Sequence, residues 1–570
     1  MYALQQARKE VLLALKNALG KTYSPALDEL EAPKISAHGD ISFPCFGVAK
    51  GLKRNPAEIA SELAPKIQPQ GLIASVETKG PYVNFRLDTT VLATLVLKEA
   101  TQTDYGTSST LENKTIMVEY AQPNTHKEVH VGHLRNALVG QVVVNFLRAH
   151  AAKVIPTSYI NDLGAHVAKC LWGIQKFHPG EEPQKGEENA FLAKVYTEAT
   201  QWLDAHPEEK EDVQKIFQSL EKGHRGWRAL WKKTRGWSMK MIRGVFKELG
   251  LTIEQWYFES DLLKRSKAIV EDLMEKKIAV RSEGAILVPL EEEKLGVNLL
   301  ERTDGTLLYN AKDLALAFRK EEDFRPDQSL YIIDVRQSLA MKQLFATLKR
   351  MGFNRTLQHL SYEIVMLPDG VMSSRKGNVI RYEDLRDQIL AAAHQETKTR
   401  HENWSEKKIT TTSHKIAFAA MKFYILKQDL DKMVIFETKS ALAFDGFTGS
   451  YVLYTLARIQ SILRKKGSVV AVDNSETHAK SFGKAKESEL LRKIAEYPDV
   501  LQRIVRTYQI SAIAQYVFDL AKSFADFYQD VPVLKAPTAV RETRLALCEA
   551  THQTLTNALK ILGIDGVKEM

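Results

Sequence analysis

Apolar positions recur every three to four residues from the N-terminus to about residue 20, ending near Gly20, which predicts an amphipathic first helix. Arg8, Lys9, Glu10 and Lys16 interrupt the run and no small-residue cleavage site follows, so it reads as a helix rather than a secretory leader. A second helical pattern covers Asn55–Ile67, with Pro56 where a helix can start. Gly39-Asp40-Ile41-Ser42-Phe43 reads as a loop between them, and Gly80-Pro81 followed by alternating Tyr82–Leu87 reads as a turn and a strand. The polar stretch Thr103–Thr110 closes a small α+β unit.

From Lys114 the pattern changes. Thr115–Ala121 is a buried-strand run, Gln122-Pro123-Asn124-Thr125 a loop, and Leu134, Leu138, Val142 and Phe146 mark one face of a helix. Val154–Ile160 supplies a second strand, so about 45 residues spell strand, helix, strand: the parallel unit of a nucleotide-binding sheet. Residues 176 to about 281 are helical, charged and tryptophan-rich, and read as an insertion. Strand signals return at Leu330–Val335 and Tyr362–Met366, and beyond about 410 the chain is helical, with Tyr451–Arg464 and Ile510–Tyr528 strongly periodic. The expected architecture is multidomain α/β. A small α+β N-terminal domain (1–110) precedes a Rossmann-type parallel-sheet core (111–400) with its helical insertion, and an all-α C-terminal domain (401–570) follows.

Composition adds little but excludes much. At 570 residues, 44% hydrophobic and 26% charged, the chain is neither disordered, collagen-like nor disulfide-stapled. Lys and Arg outnumber Asp and Glu 79 to 70, a mild excess that suits solubility or a polyanionic partner. Cys45, Cys170 and Cys548 are far apart and form no CxxC pair, so a reducing compartment is expected and no zinc cluster is implied. No run of about 18 apolar residues is present, so no membrane span is expected and a cytoplasmic location is.

Two segments carry chemistry. His130-Val131-Gly132-His133 opens the helix after the first core strand. Two imidazoles three apart, a glycine that admits a close neighbour and a helix N-terminus together suit a polyphosphate. A metal pair or two surface histidines are the bland alternatives, and no nearby carboxylate or cysteine completes a metal set. Met372-Ser373-Ser374-Arg375-Lys376-Gly377-Asn378 follows the turn Pro368-Asp369-Gly370. It is either a solvated basic loop or one that neutralises a departing pyrophosphate. Neither is a GxxxxGK[ST] loop, so a P-loop nucleotidase is not supported.

The pair resembles the HIGH and KMSKS signatures of class I aminoacyl-tRNA synthetases, in the right order. Val118-Glu119-Tyr120-Ala121-Gln122-Pro123-Asn124, Lys127 and His130–Arg135 narrow the resemblance to the arginyl-tRNA synthetase family. Asn161-Asp162-Leu163-Gly164, Tyr309 with Asp313, Gln337 and the C-terminal Arg544–Met570 agree with it. The resemblance spans nearly the whole chain. It implies an arginine–tRNA ligase that forms arginyl-adenylate from ATP, taken as its magnesium complex, and then charges the terminal adenosine of tRNA(Arg). It also implies activation that depends on bound tRNA, no tightly bound prosthetic group and no resident metal, and a monomer is expected. A synthetase for another amino acid, or a catalytically silent RNA-binding relative, would be the alternatives.

Carried over residue by residue, the resemblance implies that His130, Gly132, His133, Val365, Met366, Ser373, Ser374 and Lys376 hold ATP. The catalytic charge would come from Lys127, Arg375 and Lys376 beside the two histidines. Two departures stand out: Val371 replaces the first lysine of KMSKS, for which Lys127 is expected to compensate, and Asn161 replaces a family glycine. A guanidinium is best held by carboxylates in a fork, and Asp313, one turn after Tyr309, suits that role. Glu119, Asn124 and Gln337 share the remaining contacts to arginine in an order the sequence leaves open. For tRNA, the resemblance points to Asn84 and Phe85 on the elbow, with Phe85 as a core residue the equal alternative. Tyr451, Tyr454, Arg458 and Tyr528 would contact the anticodon. The Trp227–Arg235 stretch interleaves basic and aromatic residues, although Trp227 and Trp231 at i, i+4 suit helix packing.

Overall fold

The computed structural model describes residues 1–33, 35–366, 381–465 and 482–570. The first helix, Ala3–Leu19, buries Ala3, Ala7, Val11, Leu15 and Leu19, a stripe of period near four. It covers a three-stranded antiparallel sheet in the order β1 (Ile41–Pro44), β3 (Tyr82–Leu87), β2 (Ile73–Lys79). β1 lies inside the segment expected to be a loop. Its four residues are too few to show alternation, and Ile41, Ser42 and Phe43 are all buried.

The core is a five-stranded sheet, parallel throughout, in the order β11-β10-β4-β5-β6. Its strands are β4 (Thr115–Glu119), β5 (Lys153–Ile160), β6 (Gln255–Phe258), β10 (Gln328–Asp334) and β11 (Thr356–Tyr362). The chain winds outward from β4 in one direction through β5 and β6, then returns to β10 on the other side. That reversal leaves a crevice beyond the carboxyl ends of β4 and β10, the place where such sheets bind ligands. The helix Val131–Ala149 links β4 to β5 and is buried on nearly every side. Gly140 on it is required, because a Cβ there would lie 2.2 Å from the Tyr120 ring.

The helices Glu188–Ala205, Lys210–Glu221 and Arg225–Leu249 pack as a separate apolar cluster with Trp172 and Trp231. The expected insertion is interrupted before 281 by β6, whose four residues give no period. A smaller antiparallel sheet, β7 (Val280–Ser282), β8 (Ala285–Pro289) and β9 (Val297–Glu301), follows. A short parallel pair, β12 (Val365–Met366) with β13 (Val434–Ile435), ties the core to the C-terminal helices. Among those, Gly449–Arg464, Ser511–Asp530 and Thr538–Ile561 bundle around a shared apolar core. The three cysteines are buried and free. No described helix is long and apolar enough to cross a membrane.

Candidate active site

The signature histidines meet at the sheet's crevice. His130 is not in the helix but caps it in an extended conformation, so its ring folds back over His133, with centroids 3.7 Å apart. A Cβ at Gly132 would lie 3.0 Å from the His130 ring, so the glycine makes room for that stack. The Nδ1 of His133 accepts the His130 backbone N–H at 3.1 Å, which places the proton of a neutral His133 on Nε2. Burial, then the charges of Lys127 and Arg336, push His130 down to about 4. Burial, then His130 and Lys127, hold His133 well below the usual histidine range. Both rings are therefore neutral near pH 7, and His130 keeps a buried Nδ1 without a partner among the described residues. Two neutral imidazoles under a nearby ammonium suit hydrogen-bond donation to phosphate oxygens better than proton transfer.

Lys127 lies in the loop just before, half-buried, with its ammonium 5.5 Å from the Tyr196 ring centroid. Ser373, Ser374, Arg375 and Lys376, with Val371, lie outside the described residues. The described flanks of that segment are anchored to the signature. Arg135, fully buried, donates to the carbonyl of Glu363 at 2.6 Å, just before β12. On the other side Arg381 pairs with the His130 backbone, and the Tyr382 N–H donates to Val129 at 2.9 Å. Val365 is buried in the core, and the Met366 carbonyl accepts from Phe436 N–H at 2.8 Å.

Beside the histidines is an enclosed set of charges. Glu119 ends β4, is 3% exposed and pairs with Lys320. Asp313 and Lys320 sit two turns apart on the helix Tyr309–Phe324, hence on one face. Burial first, then the Glu119 carboxylate, push Asp313 up to about 7 against the pull of Lys320 and Lys312. Lys312 pairs with Glu259, whose second oxygen is buried without a partner among the described residues. Tyr309, 55% exposed, stands where the helix begins. Gln337 is exposed in the turn directly after β10, and half-buried Asn124 bridges to Asn161.

Three further groups in this crevice escaped the sequence reading. The hydroxyl of Tyr159, the Oδ1 of Asn161 and the Nε2 of His166 are buried with no hydrogen-bond partner among the described residues. Buried polar atoms left unpaired are costly, so each of these groups calls for an explanation beyond packing. Burial, then the charges of Asp313 and Glu259, hold the Tyr159 hydroxyl well above the usual tyrosine range. β5 was legible as a strand, but which of its faces meets the crevice was not. Asn161, where the family has glycine, keeps an ordinary backbone role: its carbonyl accepts from Thr125 N–H at 3.0 Å. The adjacent Asp162 is structural, binding Ser260 N–H at 2.9 Å and pairing with Arg235 at 2.7 Å. Trp231 donates to the Asp162 carbonyl at 2.7 Å, so this part of the Trp227–Arg235 stretch is helix packing.

The two nucleic-acid expectations part ways. Phe85 is fully buried on the central strand of the N-terminal sheet, and Asn84 is buried and accepts from the Ser42 hydroxyl. The ring cannot stack on a base without opening that core, so Phe85 is corrected to a core residue. In the C-terminal domain, Tyr454 (41% exposed) and Arg458 stand exposed on the helix Gly449–Arg464, beside half-buried Tyr451. Arg458 lies over the Tyr528 ring at 4.5 Å, so the four residues form one surface strip.

A doubly wound sheet with paired histidines at its switch point is how class I aminoacyl-tRNA synthetases are built, and the comparisons agree. The profile described as tRNA synthetases class I (R), catalytic domain, matches residues 93–437. The DALR anticodon binding domain matches residues 452–570, and the arginyl tRNA synthetase N terminal domain matches residues 5–87. The chain is 35% identical to the arginine–tRNA ligase of Bdellovibrio bacteriovorus over 578 residues, covering 98% of each. It is 32% identical to that of Treponema denticola, covering 96% of this chain and 95% of the relative. The fold matches the Thermus thermophilus arginyl-tRNA synthetase with a TM-score of 0.84 at 24% identity, over 99% of this chain and 100% of the other. The chain is therefore a class I aminoacyl-tRNA synthetase. Within that class it belongs to the arginyl-tRNA synthetase family.

Proposed function

We infer that this protein is an arginine–tRNA ligase. The observation that carries this reading is a pair of neutral, half-buried imidazoles at a crevice that also holds the carboxylates of Glu119 and Asp313. The first suits a polyphosphate, the second a planar cation. ATP enters as its magnesium complex, and the arginine carboxylate attacks its α-phosphorus. A new P–O bond forms, the bridging α–β P–O bond breaks, and pyrophosphate leaves. The 2′-hydroxyl of the tRNA terminal adenosine then takes the arginyl group and AMP leaves. No protein nucleophile is needed, since alignment and charge stabilisation supply the rate.

In this reading His130 and His133 donate to the phosphates, Gly132 admits them, and Lys127 with Arg375 and Lys376 offsets the charge gathering on pyrophosphate. Ser373 and Ser374 hold the triphosphate, and Val365 and Met366 border the adenine. Asp313 takes the guanidinium, Tyr309 covers it, and Glu119, Asn124 and Gln337 complete the arginine contacts. Tyr451, Tyr454, Arg458 and Tyr528 meet the anticodon loop of tRNA(Arg). The enzyme works as a monomer in the cytoplasm. ATP–pyrophosphate exchange with each of the twenty amino acids, with and without tRNA(Arg), tests the assignment. Exchange with arginine alone among them is expected, and equal exchange with lysine or no exchange at all would overturn it.

A further inference from the structure

The crevice holds more charge than an arginine needs, and its arrangement follows from one residue that no motif marks. Lys320 is enclosed, its side chain 2% exposed, and its ammonium pairs with Glu119 and lies 4.3 Å from the Tyr331 ring centroid. Three other elements face the cluster: Tyr159 from β5, Tyr331 from β10 and Glu259 just after β6. On its own helix Lys320 is joined by Asp313 and Lys312. Glu259, which burial pushes up to about 7, is taken up by its own buried pair with Lys312. Glu119 and Asp313 against Lys320 leave one negative charge.

We propose that Lys320 is a positioning residue for arginine recognition, aiming and neutralising Glu119 so that the pocket carries a single net negative charge. This rests on the reading that Glu119 and Asp313 line the arginine site. Two carboxylates buried together cannot both stay ionised without a cation, and one would take up a proton. An incoming guanidinium would then have to expel that proton. With Lys320 in place, Glu119 is held in a pair with the ammonium, its other oxygen 3.4 Å from Gln122 Nε2, and Asp313 is left for the substrate. A monocationic side chain closes the charge to zero. A neutral side chain of the same shape leaves a buried carboxylate unpaired, which the site penalises. Burial and Glu119 already push Asp313 up to about 7, so the wild-type pocket sits near its limit.

The test is arginine KM against pH from 6 to 9, in ATP–pyrophosphate exchange with the full-length enzyme and tRNA. Lys320→Met is expected to raise arginine KM at pH 7 by about tenfold or more and to move the midpoint of the KM profile upward by about one unit. The kcat at saturating arginine should change less. Glu119→Gln leaves the Lys320 ammonium free to pair with Asp313, where the guanidinium must bind. It should therefore raise KM more than the double variant Glu119→Gln/Lys320→Met, which keeps one carboxylate and no ammonium. A Lys320→Met enzyme with a lowered Tm but an unshifted midpoint overturns the proposal. If that variant does not fold, equal arginine KM in Glu119→Gln and the double variant overturns it instead. Asp313→Asn keeps the two ideas apart: an unchanged arginine KM there removes the pocket reading itself, whatever Lys320 does.

Discussion

The proposed arginine pocket and the proposed anticodon strip would recognise their partners under opposite physical conditions. In the pocket, Glu119 and Lys320 are 3% and 1% exposed and locked in a pair at the end of a parallel sheet. On the C-terminal domain, Tyr454 and Arg458 stand in solvent on one helix, near half-buried Tyr451 and Tyr528. Enclosure strengthens each charge and makes an unpaired one costly, so a single substitution there is felt in full. Exposed rings contribute stacking area that several residues share, and each loss is partial. On the proposed function, selectivity for the amino acid would rest on few groups, and affinity for the RNA would be spread over many.

The largest effect should come from the pocket. Asp313→Ala is expected to lower kcat/KM for arginine by about 3–5 kcal/mol, the scale of breaking a buried ion pair, with ATP KM little changed. In the wild type, Asp313 must be ionised to take a guanidinium. Since burial and Glu119 raise it to about 7, arginine KM should climb about tenfold per unit as pH falls below that point. His130 and His133 titrate far lower, so kcat should show no histidine limb between about pH 5.5 and 8. An arginine KM flat from pH 5.5 to 8 would falsify the pocket's side of the contrast.

Next comes Lys127, which lies between the two extremes: half-buried, with its ammonium near the Tyr196 ring. Its charge already helps to lower both signature histidines. Lys127→Ala should lower kcat roughly 10²–10³-fold with a smaller change in ATP KM, by analogy with losing one donor to a transition-state oxyanion. Adding Val371→Lys should restore part of the loss. Near-normal kcat in single-turnover adenylate formation by Lys127→Ala would leave the charge to Arg375 and Lys376.

The exposed strip predicts a smaller penalty. Tyr454→Ala should cost about 1–3 kcal/mol in kcat/KM for full-length tRNA, one lost base stack. A minimal acceptor-stem RNA should be charged as before. Equal loss on both substrates would detach the strip from the anticodon. Smallest of all in activity is Phe85→Leu. Its ring is in the N-terminal core, so the expected outcome is a lowered Tm with tRNA KM unchanged.

The elements that position the site were legible where their apolar period was long. β4, β5 and the helix between them, and the helices Gly449–Arg464 and Ser511–Asp530, follow directly from spacing. The four-residue strands β1 and β6 were not, because so short a run shows no period and takes its strand character from its neighbours. Family motifs named Glu119 and Asp313, yet no motif pointed to Lys320 or to the orphaned Tyr159 and His166. Lys320 does sit seven residues after Asp313, a spacing that places the two on one helix face, and that signal was available.

By itself the sequence determined the order of the elements, the two signatures and the kind of chemistry they suit, since these depend on residues close together along the chain. Tertiary structure alone decided what each side chain does. It brought Lys320 to Glu119 across 201 residues, folded His130 back over His133 and closed the core around Phe85. Whether a carboxylate is free or paired, and whether a ring is core or platform, depends on strand order and on exclusion of water. Both are properties of distant segments meeting, and no local spacing encodes them.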